Sequence, residues 1–224
     1  MTDRRKRLLA ARLYLVCDSQ PDAFLEAALR GGVDIVQLRM KDCTDARILS
    51  TAARFAAACS KRNALFILND RPDLVAHAGA DGVHVGQDDM PVEQARALVG
   101  SDRLVGLSTH SPAQVEKAAA QDVDYIGVGP VHATPTKPGR PPVGLELVRY
   151  AAERAHVPFF AIGGIEPANV ASVIDAGARR IAVVRALTQA DDPERVAREL
   201  CSGVPPNKQQ NAQPGVPRER VGAT

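Results

Sequence analysis

One pattern recurs eight times along this chain: a short apolar run of strand length, then a segment with helical periodicity. The runs cover residues 13–16, 35–38, 65–68, 82–85, 104–107, 125–128, 159–162 and 181–184. Helical spacing of apolar residues fills 22–30, 45–62, 72–78, 92–99, 112–120, 145–156, 167–176 and 193–200. Thr44, Ser111 and Asp192-Pro193 stand where helix N-termini need a capping oxygen or a pre-set φ. Three glycine joints lead from helix to strand: Gly31-Gly32-Val33-Asp34, Gly79-Ala80-Asp81-Gly82 and Gly177-Ala178-Arg179-Arg180. A helix C-cap favours glycine for its left-handed residue. Eight β-then-α units within 224 residues predict an α/β fold, a compact (β/α)8 TIM barrel in a single domain. An open doubly wound sheet is the alternative, and the count of eight disfavours it.

Residues 1–11 are expected to be a basic lead-in, frayed at the terminus, with the barrel over 12–202. Arg4-Arg5-Lys6-Arg7 before Leu8-Leu9-Ala10-Ala11 faintly resembles a signal peptide, but Arg12 interrupts it and no small-residue cleavage site follows. No run approaches the roughly 20 apolar residues of a membrane span. From Gly203 the periodicity stops, and proline, glycine and glutamine predict a disordered tail over 203–224. A net charge of +2 and the lack of Trp point away from nucleic acid and membranes as partners. Cys17, Cys43, Cys59 and Cys201 form no CxxC pair and no zinc spacing, so free thiols in a reducing, cytoplasmic setting are expected.

In a parallel barrel the strand C-termini converge on one rim, and ligands bind there. Strand three ends in Asn69-Asp70 and strand four runs into Gly86-Gln87-Asp88-Asp89. Such carboxylates are hard oxygen ligands and suit Mg²⁺ holding a phosphate. Spacing alone does not say which of Asp88 and Asp89 would be the ligand, and a solvated turn is the plainer reading of either. Strand two ends Gln37-Leu38-Arg39-Met40-Lys41, where alternation puts Gln37, Arg39 and Lys41 on one face. An amide and two cations at a barrel mouth suit a diphosphate, while a salt-bridged rim is the alternative.

Ser108, after strand five, either donates to a phosphate or caps the next helix, a role Ser111 would fill equally well. The long loop over residues 129–142 carries Thr134, Thr136 and Lys137 among stiffening prolines and reads as an active-site cover. Gly163-Gly164 after strand seven and Val184-Arg185 after strand eight stand where this fold binds phosphate through backbone N–H groups. His84, His110 and His132 lie near the rim without ligand spacing and read as packing or supporting groups.

Together these stretches resemble the thiamine-phosphate synthase family. The resemblance rests on Gln37-Leu38-Arg39-Met40-Lys41, Asn69-Asp70-Arg71, His84-Val85-Gly86-Gln87-Asp88-Asp89, the Ser108 segment, Thr134-Pro135-Thr136-Lys137 and Ala161-Ile162-Gly163-Gly164-Ile165. These lie in family order across residues 12–201. The resemblance implies an enzyme, a transferase joining a pyrimidine diphosphate to a thiazole phosphate or its carboxylated form. The products would be thiamine phosphate and diphosphate.

Carried over by motif, Gln37, Arg39, Lys41, Asn69, Ser108 and Lys137 would hold the pyrimidine diphosphate, with Arg39, Lys41, Ser108 and Lys137 catalytic. Asp70 and Asp89 would hold Mg²⁺, and Thr134, Thr136, Gly164, Val184 and Arg185 would meet the thiazole phosphate. The implied route is dissociative: the carbon–oxygen bond to diphosphate breaks, and the thiazole nitrogen captures the pyrimidine carbocation. The family usually has an acidic residue where Met40 stands, and many members have Ser where Arg185 stands. A thiazole tautomerase relative, or a non-catalytic binding protein of the thiamine pathway, would not need the whole set.

Overall fold

The computed structural model describes residues 1–134 and 141–206. Eight parallel strands close into a barrel in chain order: β1 Leu13–Cys17, β2 Ile35–Leu38, β3 Leu65–Asn69, β4 Gly82–Val85, β5 Leu104–Thr109, β6 Tyr125–Val128, β7 Phe159–Ile162 and β8 Ile181–Val183. β1 closes on β8 with Leu13 opposite Ile181 and Leu15 opposite Val183. Each expected apolar run is a strand, with ends shifted by at most two residues. The helices are α1 Asp3–Ala10, α2 Asp22–Arg30, α3 Asp45–Lys61, α4 Val92–Val99, α5 Pro112–Ala118, α6 Gly144–Arg154, α7 Val170–Asp175, α8 Arg185–Thr188 and α9 Pro193–Gly203. Gly32, Gly79 and Gly177 at the joints all have φ between 65° and 105°, the left-handed region that an L side chain resists.

Strand alternation sorts the apolar residues into two cores. Inward residues such as Tyr14, Ile35, Ile67, Leu104, Tyr125 and Phe160 fill the barrel. Outward residues such as Leu15, Val36, Phe66, Val83, Ile126 and Val183 pack under the helices. Leu38 belongs to that outer layer and Met40 packs against it, as parity requires, so the Met40 side chain points away from the mouth.

Several elements differ from expectation, among them α7, which begins at Val170 and not at residue 167. Residues 3–10 are not frayed: they form α1, capped by the Thr2 hydroxyl, with Leu8 only 2% exposed inside the barrel's lower end. Arg4 Nε reaches Asp81 Oδ1 at 2.8 Å, Arg5 Nε reaches Asp124 Oδ1 at 2.7 Å, and Arg7 reaches Asp81 at 3.3 Å. The basic cluster is a plug, and its partners lie some 70 to 120 residues away, outside any local pattern. At the other terminus, α9 runs through Gly203, Val204 is 1% exposed, and its carbonyl accepts from Arg12 Nη1 at 3.2 Å. The barrel domain therefore extends past residue 202; residues 207–224, the rest of the expected tail, lie outside the described residues. The helix expected over 72–78 is a single 3-10 turn, Pro72–Leu74, and Arg185 opens a short helix after β8. No helix among the described residues is long and apolar enough to cross a membrane.

Candidate active site

A cavity of about 340 Å³ opens at the C-terminal ends of the strands. Its floor is the upper layer of the barrel core. Tyr14 and Phe160 meet edge to face with ring centroids 5.3 Å apart, and Tyr125 stands 6.0 Å from Tyr14. Room for this layer comes from Gly106 on β5: a Cβ there would stand 2.2 Å from the Tyr125 ring and 2.6 Å from His84 Nδ1. Gln37, Arg39, Asn69 and Ser108 line one side of the cavity, and Thr134, Gly164, Val184 and Arg185 line the other. Inward parity places Gln37 4% exposed on β2, with Arg39 next along the same face. The Arg39 backbone N–H is tied to Cys17 O at 2.8 Å, which holds this strand end in register beyond β1. Among the described residues neither Arg39 nor Arg185 forms an ion pair, so both guanidinium charges are left for a ligand.

Ser108 is at the edge of burial, with Oγ 3.0 Å from His84 Nε2. The choice between Ser108 and Ser111 is decided by geometry: the Ser111 hydroxyl accepts from Gln114 N and caps α5. Ser108 is thereby released from capping. Its carbonyl accepts from Gln87 Nε2 at 2.6 Å, which draws the β4 loop over β5.

Lys41, Asp70 and Asp89 gather beside the cavity rather than in its wall. Lys41 Nζ lies 3.5 Å from Asp70 Oδ2. Asp70 has φ +58°, a left-handed conformation rare outside glycine that turns the chain sharply after Asn69. The Asp70 carboxyl titrates above the usual carboxylate range. Partial burial is the main cause, followed by the Asp89 charge and a shared hydrogen bond with Asp89; Lys41 and Asn69 pull the other way. Of Asp88 and Asp89, it is Asp89 whose charge and hydrogen bond reach Asp70. Its turn is held by Gly86 N donating to Asp89 Oδ2 at 2.8 Å. No group of three or more His, Cys, Asp or Glu side chains forms a metal cage among the described residues. Two crowded carboxylates still fit a Mg²⁺ ion, which keeps several waters and binds through one or two carboxylates plus substrate phosphate.

On the far side, Gly163 and Gly164 let the β7 loop pass close to the β6 loop. A Cβ on Gly163 would lie 2.5 Å from Pro130, and one on Gly164 would lie 2.8 Å from His132 Cβ. His132 N donates to Gly163 O at 3.0 Å. Val184 precedes α8 with no side-chain cap, so the first N–H groups of that turn lack a side-chain partner, and Val184, Arg185 and Ala186 line the cavity there. Thr136 and Lys137, expected at this site, lie outside the described residues.

Sequence reasoning missed Tyr14 and Tyr125 as site residues, because an aromatic on a buried strand reads as core. His84 and His110 line the cavity, His110 with Nδ1 against Gly129 O, whereas His132 does not line it. All four cysteines are free thiols outside the cavity wall, and burial pushes Cys59 up to about 12 and Cys201 up to about 11. None is poised as a nucleophile.

A family model described as thiamine monophosphate synthase matches residues 13–187. The chain belongs to the thiamine monophosphate synthase family. It is 53% identical over 195 residues to the thiamine-phosphate synthase of Gloeobacter violaceus, covering 86% of this chain and 57% of that protein. The chain therefore spans little more than half the length of that relative. The thiamine-phosphate synthase of Thermus thermophilus is 50% identical over 200 residues, which cover 86% of this chain and 96% of that one. Among solved structures, a thiamine phosphate pyrophosphorylase from Pyrococcus furiosus superposes with a TM-score of 0.81 at 30% identity, covering 89% of this chain and 97% of that chain. The family match begins at the first residue of β1 and ends within α8, so it takes in every cavity-lining residue named above.

Proposed function

We propose that this member of the thiamine monophosphate synthase family is a thiamine-phosphate synthase. It joins 4-amino-2-methyl-5-hydroxymethylpyrimidine diphosphate to 4-methyl-5-(2-hydroxyethyl)thiazole phosphate, or the carboxylated thiazole, and releases diphosphate. The observation that carries this reading is the pairing of Asp70 with Asp89 beside Lys41, at the edge of a cavity lined by Gln37, Arg39 and Ser108. A carboxylate pair that repels itself is stabilised by a divalent cation, and cations beside it suit a leaving diphosphate.

The bond that breaks joins the pyrimidine methylene carbon to a diphosphate oxygen, and its electrons leave with the diphosphate. The bond that forms joins that carbon to the thiazole nitrogen. The thiazole nitrogen is the nucleophile, so no side chain has to be activated as one. Arg39, Lys41 and Lys137 neutralise the charge that grows on the departing oxygens, and Ser108 donates a hydrogen bond to them. Mg²⁺ held by Asp70 and Asp89 would add positive charge to the same oxygens. Asn69 and Gln37 orient the pyrimidine end. Thr134, Gly164, Val184 and Arg185, across the cavity, hold the thiazole phosphate together with Thr136, which lines up nitrogen and carbon. Keeping water from the carbocation falls to the segment after β6, whose described residues Gly129, Pro130, Ala133 and Thr134 line the cavity. We place the enzyme in a reducing, cytoplasmic setting, in which its four cysteines stay free thiols.

The test is diphosphate release from purified protein supplied with Mg²⁺ and each substrate alone, then both together. Release only with both substrates, with thiamine phosphate as co-product, is expected. Isomerisation of the thiazole phosphate without diphosphate release would point instead to a tautomerase, and binding without turnover to a binding protein.

A further inference from the structure

Beneath the cavity, five side chains from five strands form one continuous hydrogen-bonded chain. Gln37 Nε2 donates to Tyr14 Oη at 2.6 Å, and Tyr14 Oη lies 2.9 Å from Tyr125 Oη. Tyr125 Oη lies 3.3 Å from His84 Nδ1, and His84 Nε2 lies 3.0 Å from Ser108 Oγ. Both ends are residues that the proposed function places on the pyrimidine diphosphate. The three between have no part in the proposed reaction as described above.

A phenol has one proton, and this decides the direction of the chain. Tyr14 accepts from Gln37, so its own proton goes to Tyr125. Tyr125 accepts that proton's bond and donates its own to His84 Nδ1. With Nδ1 as acceptor, the neutral ring carries its proton on Nε2 and donates it to Ser108 Oγ. Ser108 then has its proton left for the cavity. At the opposite end, Gln37 has committed an amide hydrogen to Tyr14, and its carbonyl oxygen remains as an acceptor in a side chain that lines the cavity. Reversing any one link would reverse all of them.

We propose that Tyr14, Tyr125 and His84 are positioning residues, forming a polarised chain that makes Gln37 an acceptor and Ser108 a donor toward the substrate. This deepens the functional reading above and rests on it for the identity of the substrate. The chemistry matches: an acceptor suits the exocyclic amine of an aminopyrimidine, and a donor suits the oxygens of a leaving diphosphate. Burial supports the arrangement, because Gln37, Tyr14 and Tyr125 are all under 5% exposed and water does not compete for their bonds. Desolvation also raises the pKa of both phenols above their ordinary value, so neither ionises and erases the direction. Ser108 is spared for this role because Ser111 caps α5.

Two measurements on the full chain test this. The first needs no substrate: nitrogen-15 NMR of histidine-labelled protein, with the His84 signals assigned by their loss in His84→Gln. A neutral ring protonated at Nε2 is expected, and protonation at Nδ1 would overturn the proposal. The second is kinetic. Tyr125→Phe should raise the pyrimidine-diphosphate KM and lower kcat, together by about tenfold, the scale of one hydrogen bond to a charged group. The thiazole-phosphate KM should stay unchanged. His84→Gln has an amide able to accept from Tyr125 and donate to Ser108, so it should retain most turnover, whereas His84→Leu should not. Equal losses in those two variants, or losses that follow melting temperature alone, would overturn the positioning role. An Nε2 tautomer in a protein that releases no diphosphate would overturn the assigned reaction and leave the wiring standing.

Discussion

At the N-terminal end of the barrel, Asp81 meets Arg4 and Arg7, Asp124 meets Arg5 and Arg96, and Asp34 accepts from the backbone of Arg12 and Leu13. At the C-terminal end, Asp70 meets another carboxylate, that of Asp89. The residue type is the same and the surroundings are opposite. Asp34, Asp81 and Asp124 each directly precede an even-numbered strand, and each carboxylate accepts a backbone N–H from the odd-numbered strand before it: Leu13 at 3.0 Å, Phe66 at 3.0 Å and Val105 at 2.8 Å. Before β8 the position belongs to Arg180, whose Nη2 donates to Leu9 O at 2.9 Å in α1. At this end Asp81 and Asp124 pair with the arginines of α1 and clamp the plug. At the other end Arg39, Arg185 and the two carboxylates are left with charge to spare, which is what a site for an anionic substrate and a cation requires.

The largest effect should come from breaking the paired end. The Asp124 and Arg96 side chains are 8% and 11% exposed and 2.6 Å apart. Asp124→Ala removes the carboxylate shared by Arg5, Arg96 and the Val105 N–H, leaves Arg96 with only Asp122 and backbone carbonyls, and should cost up to about 3–5 kcal/mol of stability. Below its melting transition the variant should keep wild-type kcat. A large kcat loss at 25 °C in the folded variant would mean that the two ends are not separable.

At the substrate end, Arg185→Ala should act on binding alone. A charge-assisted hydrogen bond is worth about 1.5–3 kcal/mol, so the thiazole-phosphate KM should rise about ten- to a hundredfold while the pyrimidine-diphosphate KM barely moves. An unchanged thiazole-phosphate KM would leave only the backbone N–H groups of α8 as the phosphate contact.

Truncation sharpens the same contrast at the chain's end. Val204 belongs to the clamped end through Arg12. A chain ending at Pro206 should melt like the full chain, whereas one ending at Gly203 should lose about 1.5–3 kcal/mol, the burial of one aliphatic side chain. Equal melting temperatures for all three would show that the Val204 contact contributes nothing.

The smallest effect is a pH dependence. Asp70 has a raised carboxyl pKa in the folded chain, so folding favours its protonated form. The stability this contributes is complete below the unfolded value of about 3.9 and is lost as pH rises through the raised folded value. Without metal, Asp70→Asn should therefore gain melting temperature relative to wild type as pH rises from about 4 to about 7. Added Mg²⁺ should narrow that gap. A gap that does not change with pH would mean that Asp70 and Asp89 do not repel each other.

Much of this was legible in the sequence for definable reasons. The strands announce themselves as apolar runs bounded by glycine joints, and their inward parity follows from a period of two, so the Gln37–Arg39 face was readable before any coordinates. Long-range pairing was not readable. α1 looks like a solvated basic tail until Asp81 and Asp124 are brought beneath it. Tyr14 and Tyr125 look like ordinary core until the barrel closes and brings their hydroxyls together. Asp88 and Asp89 differ only in how the turn after Gly86 aims them. Val204 lies past the last apolar period, and only the fold of α9 against Arg12 shows it to be buried.

In the proposed reaction the crowded carboxylates at the C-terminal end hold a divalent cation for diphosphate departure. Diphosphate release, followed in EDTA and then with Mg²⁺ added back, tests it most directly in wild type, Asp70→Asn, Asp89→Asn and Asp88→Asn. No turnover in EDTA and recovery with Mg²⁺ are expected, with a loss of about 10²-fold or more in Asp70→Asn and in Asp89→Asn, the scale of one electrostatic stabiliser, and little change in Asp88→Asn. Full turnover in EDTA, or Asp88→Asn as the crippling change, would contradict it.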